Sequence, residues 1–289
     1  IEYAKVPSKA NLNYSHAFMK HDEERRTQFL VDLSNGETKI NAGVLYPHDI
    51  VSKYRRDHEY NYYFQRPLSS SIDDTLEELW KALPKNNIQD TLVVSDGSGS
   101  MLNSIGNTNI TAYDVSIALA IYFAERNKGE YHNSFLTFGE TPRLMTFKDE
   151  DSLKDKLNLA MSNTDCSNTN IEKVFMSLLY TAIDNKLSQE DLPANILILS
   201  DMEFDEIAGD NLHPIFNKKS FEGISESFWN INGRTNTIPM KENDLGVILV
   251  SGFSTNITNM IMSDKTDPYE ILVDTLNSER YNIIEECMK

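Results

Sequence analysis

The hydrophobic rhythm of the chain changes after Pro84. Upstream, apolar positions recur at helical spacing. Phe18, Phe29, Leu30 and Leu33 predict a helix within Tyr14–Leu33. A turn at Asn35-Gly36 separates it from a second helix, which Pro47 suits as a first-turn residue. "SSIDDTLEELWKAL" (Ser70–Leu83) predicts a third, with a serine cap, acids in its first turn and Ile72, Leu76, Leu79, Trp80 and Leu83 on one face. Downstream, short apolar runs alternate with helical periods. "TLVVSD" (Thr91–Asp96), "NILILSD" (Asn195–Asp201) and "LGVILVSGF" (Leu245–Phe253) read as strands. Helices are expected over Thr111–Asn127, Asp151–Met161, Asn170–Asn185 and Asp267–Ser278, with a hairpin of Ser134–Gly139 and Pro142–Phe147 around "GETP". Asp205–Asp244 reads as a long irregular insertion in which "SFWNINGR" supplies one more strand.

Strands and helices alternating at this spacing imply an α/β fold, a doubly wound, mostly parallel sheet with helices on both faces. The expected division is a helical extension over 1–84 and the α/β part over 85–289. In such folds ligands bind at the carboxyl ends of the strands.

Composition narrows the function classes. No stretch approaches the roughly 18 uninterrupted apolar residues that cross a bilayer, so no membrane association is expected. The first residues lack the apolar core of a signal peptide, and two cysteines, Cys166 and Cys287, point to a reduced intracellular, cytoplasmic setting. Because the sequence begins at Ile1, the expectation is that a longer product has lost its N-terminal part. The net charge of −17 favours solubility and repels a phosphate backbone. A small basic cluster at Ser52–Tyr60 falls on a helix end.

The chemistry concentrates in "TLVVSDGSGSM" (Thr91–Met101). Asp96, Ser98 and Ser100 follow one strand, and Asp201 follows another, so they meet at one sheet edge. "TDCSNTNIEKVF" (Thr164–Phe175) adds a polar loop before a helix, with Thr169 as a hydroxyl at the helix start and Thr164 and Ser167 close by. Two carboxylates and three hydroxyls form a hard-oxygen donor set suited to Mg2+, with Mn2+ or Ca2+ also meeting this chemistry. Gly97 and Gly99 are expected to relax the turn so that alternate side chains converge. The plainer alternatives are a strand-end turn for Asp96, Ser98 and Ser100, and an ordinary helix cap for Thr169. Glu203 and Asp205 fit a solvated acidic loop better than a supporting role. A serine-hydrolase elbow does not fit, because Asp96 and Ser100 stand where its outer glycines belong. None of the six histidines makes a close zinc pattern.

"DGSGS" with a downstream threonine and "SD" resembles the metal-ion-dependent adhesion site (MIDAS) of von Willebrand factor type A domains. The resemblance implies metal ligation by Asp96, Ser98, Ser100, Thr169 and Asp201, and a Rossmann-like type A fold. "VPSKANLNYSHAFMKHDEER", "KINAGVLYPHDIV", "LSDMEFDE", "FWNINGRTNTIP" and "GVILVSGFS" together resemble the domain-of-unknown-function 2828 family of large amoebal viruses, plants and fungi, distantly similar to the Ro autoantigen. That likeness makes residues 1–84 the tail of a larger helical part. The functions it implies are a metal-dependent binding module for a protein partner's carboxylate, or a component of an RNA-binding protein whose helical part lies upstream. If the chain is viral, the virion joins the cytoplasm as a setting to consider. A metal-dependent phosphotransferase or phosphatase is the weaker alternative.

Overall fold

The computed structural model describes residues 1–57, 71–84, 90–164, 171–201, 225–231, 247–252 and 268–277. Six strands form one sheet: β1 (Thr91–Asp96), β2 (Ser134–Phe138), β3 (Leu144–Thr146), β4 (Asn195–Ser200), β5 (Ser225–Asn230) and β6 (Val247–Ser251). Their order is β3-β2-β1-β4-β5-β6. Only the hairpin partner β3 runs antiparallel; the other neighbouring pairs are parallel. The chain winds outward from β1 to β3, then returns to β4 on the opposite side of β1. The switch point of the doubly wound sheet therefore lies between β1 and β4, the position at which folds of this kind bind ligands. The expected fold class and the extra strand in "SFWNINGR" are both present.

Strand parity assigns the two faces. Val93, Phe135, Leu197 and Leu199 pack into one buried cluster, while Leu92, Val94, Leu136, Phe138, Ile196 and Ile198 pack into another. Helix α8 (Ile171–Asp184) covers the second face through Val174, Phe175 and Leu178. Helix α6 (Ala112–Arg126) covers the first, and its residues from Ala112 to Ala124 are all buried. A helix buried all round must have partners on every side. Its outer side is covered by the N-terminal helices α1 (Ser8–Asn13), α2 (Ser15–His21), α3 (Glu23–Ser34), α4 (Pro47–Asp57) and α5 (Asp74–Lys81), which share one apolar cluster with α6 and with α7 (Leu153–Ser162). Helix α9 (Pro268–Leu276) is the last described element. No helix among the described residues is long and apolar enough to cross a membrane.

Two N-terminal expectations change. The helix expected within Tyr14–Leu33 is two helices, α2 and α3, broken at Asp22 with φ −152°. Asp22 accepts a hydrogen bond from the Tyr3 hydroxyl at 3.0 Å, which draws it out of the helical path. The break lets Tyr3, Phe18 and Phe29 surround the guanidinium of Arg26, which is fully buried and bonded to Asn11 Oδ1 and Thr75 Oγ1. The third helix starts at Asp74, and its cap is Asp73, whose carboxylate accepts the Thr75 and Leu76 amides. Ile72 precedes that helix and is exposed, and Ser70 lies outside the described residues. The basic cluster also turns inward: Arg55, in the last turn of α4, pairs with Asp114 of α6.

Glu77 of α5 crosses to the start of α7, where its carboxylate accepts the Leu153 and Lys154 amides at 2.8 and 3.1 Å. A carboxylate on orphan amides at a helix N-terminus is stabilising. Glu77→Ala is expected to lower stability by about 1–2 kcal/mol, with Glu77→Gln recovering part, read by urea denaturation.

Candidate metal centre at the strand ends

The site is built by the last residues of two adjacent strands. Ser95 pairs with Leu199, so Asp96 stands beside Ser200, and Asp201 follows directly. Both carboxylates are removed from water: Asp96 is 0% and Asp201 3% exposed. After Asp96 the chain makes a tight turn in which the Ser98 amide donates to Asp96 Oδ1 at 2.8 Å. A short 3-10 turn, Gly99–Leu102, follows and is anchored by the buried Met101. The Ser98 and Ser100 hydroxyls lie 3.0 Å apart. Asn103 holds this turn by donating to the Ser100 carbonyl at 2.6 Å. Asp96, Ser98 and Ser100 are thus brought together, and Asp201 stands beside them at the end of β4.

Gly99 does not act as expected. Its φ lies outside the left-handed region, and a Cβ placed there meets nothing within 4 Å among the described residues. The turn does not need glycine at this position; the missing side chain leaves open space beside the serines instead.

Sequence reasoning missed Ser200. Its buried hydroxyl donates to Asp96 Oδ2 at 2.6 Å, so both oxygens of Asp96 carry a hydrogen bond. Strand parity puts Ser200 on one face with Ile196 and Ile198, and only the register of β1 against β4 shows that this face also carries Asp96.

Burial pushes the Asp96 carboxyl up to about 6, the Ser200 and Ser98 bonds hold it down, and the charge of Asp201 pushes it up. Two neighbouring buried carboxylates repel each other, and a cation between them would remove that repulsion. The hydroxyls of Ser98 and Ser100 add hard oxygen without further charge. The residues therefore fit a small divalent ion.

The second loop is less fully described. Thr169, Ser167 and Cys166 lie outside the described residues, as do Glu203 and Asp205. Thr164 is described, and its hydroxyl is engaged elsewhere. It donates to the Ala160 carbonyl at 2.9 Å and pairs with the Tyr113 hydroxyl at 2.6 Å, joining α7 to α6.

The loop from the serines to α6 is tied back on itself. Ile105 N donates to Ile110 O at 2.8 Å, and Ala112 N to Asn103 O at 3.2 Å. Thr111 then caps α6 in a reciprocal box with Asp114. The helix N-terminus is thereby fixed to the loop that carries Ser98 and Ser100.

Comparison with known proteins places these features. "Uncharacterized protein L728" of Acanthamoeba polyphaga mimivirus is 27% identical over 303 residues, covering 96% of this chain and 50% of that protein. The chain thus spans about half the length of this relative. The crystal structure of the Deinococcus radiodurans RO (RSR) protein aligns with 82% of this chain and 52% of its own, at 15% identity and a TM-score of 0.49. The SpRpn10 VWA domain aligns over 62% of this chain and 96% of its own, at 14% identity and a TM-score of 0.37. Residues 1–90 match the family described as Domain of unknown function (DUF2828). The later blocks that resemble that family, from "LSDMEFDE" onward, fall instead in a second match that begins with the strand carrying Asp96. Over residues 90–282 the chain belongs to the family described as Domain of unknown function (DUF7788).

Proposed function

We propose that the chain is a divalent-cation-dependent binding module. Asp96, Ser98, Ser100 and Asp201, with Thr169 from the second loop, would hold magnesium directly or through water. The observation that carries this reading is the pair of buried, adjacent carboxylates flanked by two hydroxyls at the switch point between β1 and β4. Two carboxylates leave a bound divalent ion close to neutral. The ion would then remain attractive to an incoming anionic oxygen, such as an Asp or Glu carboxylate on a protein partner. The chain's residues would supply the remainder of the binding: Met101 and Asn103 hold the serine turn, and Ser200 and the Ser98 amide hold Asp96.

Magnesium titration by calorimetry tests the reading. The parent chain is expected to bind saturably, and the Ser98→Ala/Ser100→Ala double variant to lose that binding while keeping its circular dichroism spectrum. Equal binding by both chains, or none by the parent, would remove the proposal. With binding established, a pull-down with acidic peptides in magnesium and in chelator would ask whether a carboxylate is the partner's contribution.

A further inference from the structure

Asp96 is held by donors from two different segments. The Ser98 amide takes Oδ1 and the Ser200 hydroxyl takes Oδ2, at 2.8 and 2.6 Å. Asp96 and Ser200 are both 0% exposed, so neither can swing toward water to replace a lost bond. Ser200 is the last residue of β4, and its hydroxyl reaches across the junction of the two strands that form the site.

We infer that Ser200 sets which cation the site accepts, by fixing Asp96 as a one-oxygen donor and so favouring magnesium or manganese over calcium. This rests on the proposal that the site holds a divalent cation. Donors from two segments fix the rotation of the carboxylate while leaving one lone pair on each oxygen; a turn that brought both oxygens onto one ion would draw Oδ2 away from the Ser200 hydroxyl. That bond is charge-assisted and short, which makes it costly to lose. Calcium gathers six to eight oxygens at about 2.3–2.6 Å and gains from carboxylates that bind through both oxygens. Magnesium demands near-octahedral single oxygens at about 2.0–2.1 Å. Ser98 and Ser100 each offer one oxygen, and a locked Asp96 matches them. Ser200 acts through Asp96 and need not touch the ion.

The test is a pair of titrations, magnesium and calcium, on the full chain, Ser200→Ala and Ser200→Thr. Ser200→Ala is expected to weaken magnesium binding about tenfold while calcium binding stays level or tightens, so the preference for magnesium falls. Ser200→Thr keeps the hydroxyl and is expected to keep the parent's preference. A purely structural role for Ser200 would weaken both ions in step; an unchanged ratio in Ser200→Ala would overturn the inference. A parent that binds both ions equally well would overturn it too. If the parent binds neither ion, the cation reading itself fails, and the inference falls with it. Should Ser200→Ala not fold, Ser200→Cys provides the same comparison with a weak thiol donor. Its magnesium preference is expected to fall, and an unchanged one would count against Ser200.

Discussion

Asp96→Asn is expected to make the cation-free chain more stable and at the same time unable to bind magnesium. The carboxyl is fully buried beside Asp201, and its folded value of about 6 stands above its ordinary 3.8. A raised folded value means that the charged form is disfavoured in the folded state. The parent's stability therefore falls as pH rises from about 3.8 to about 6 and stays low above that. Asparagine removes the charge and retains the contacts. Its carbonyl oxygen accepts the Ser98 amide, and its NH2 group donates to the Ser200 oxygen. In chelator at neutral pH the gain is expected to be on the order of 2–3 kcal/mol, from the size of the shift. The gain should shrink below about pH 6 and vanish near 3.8, where the parent's carboxyl is protonated whether folded or not. Saturating magnesium is expected to reverse the ranking, because a ligand that binds only the folded parent would stabilise the parent alone. Thermal melts in chelator and in magnesium, repeated across pH, would read both halves. If Asp96→Asn loses stability in chelator, the Ser98 and Ser200 bonds outweigh the cost of burying the charge, and the site is already balanced without a metal.

The sequence shows where Asp96 and Asp201 stand because the ends of the strands that carry them are buried. Continuous apolar runs such as "NILILS" allow few structures, and the first polar residues after them mark the strand ends. Asp96 and Asp201 are legible for that reason. Ser200 is not, because a serine at a strand end has no meaning until the register of β1 against β4 is known. The same limit hides the break at Asp22, which depends on the Tyr3 hydroxyl 19 residues away. It also hides the use of Arg55, which reads as part of a small basic cluster on a helix end yet reaches a carboxylate 59 residues downstream. Asp73 was available locally, since Asp two or three residues before an apolar helical face is as good a cap as serine. The serines upstream drew the predicted start too early. What local rules cannot give are the contacts that tie the N-terminal helices to α6, and those contacts control the other large effect.

Asp114→Ala is expected to destabilise the chain by about 3 kcal/mol, the low end of the range for removing one partner of a buried ion pair, because the Arg55 side chain keeps 19% exposure. Asp114 is 0% exposed and sits three residues into α6. One oxygen accepts the Thr111 amide and hydroxyl, each at 2.9 Å. Arg55 of α4 reaches both oxygens, through Nε and Nη2, each at 2.6 Å. Two parallel bonds of this kind are the strong geometry for a guanidinium and a carboxylate. Truncation leaves the Arg55 guanidinium without its counter-charge and the Thr111 amide without its cap. Asp114→Asn keeps an oxygen for Thr111 and loses the charge, so it should fall between the parent and Asp114→Ala. Adding Arg55→Met to Asp114→Ala removes the stranded charge. The double variant should therefore be more stable than the sum of the single losses implies. Urea denaturation of the parent, Asp114→Ala, Arg55→Met and the double variant gives the coupling. Because Thr111 also ends the loop that begins at Ser98 and Ser100, the proposed magnesium binding should weaken in Asp114→Ala and recover only partly in the double variant. If the single and double losses are additive, α4 and α6 are held together by apolar packing, and Arg55 is a surface charge that only lies near its partner.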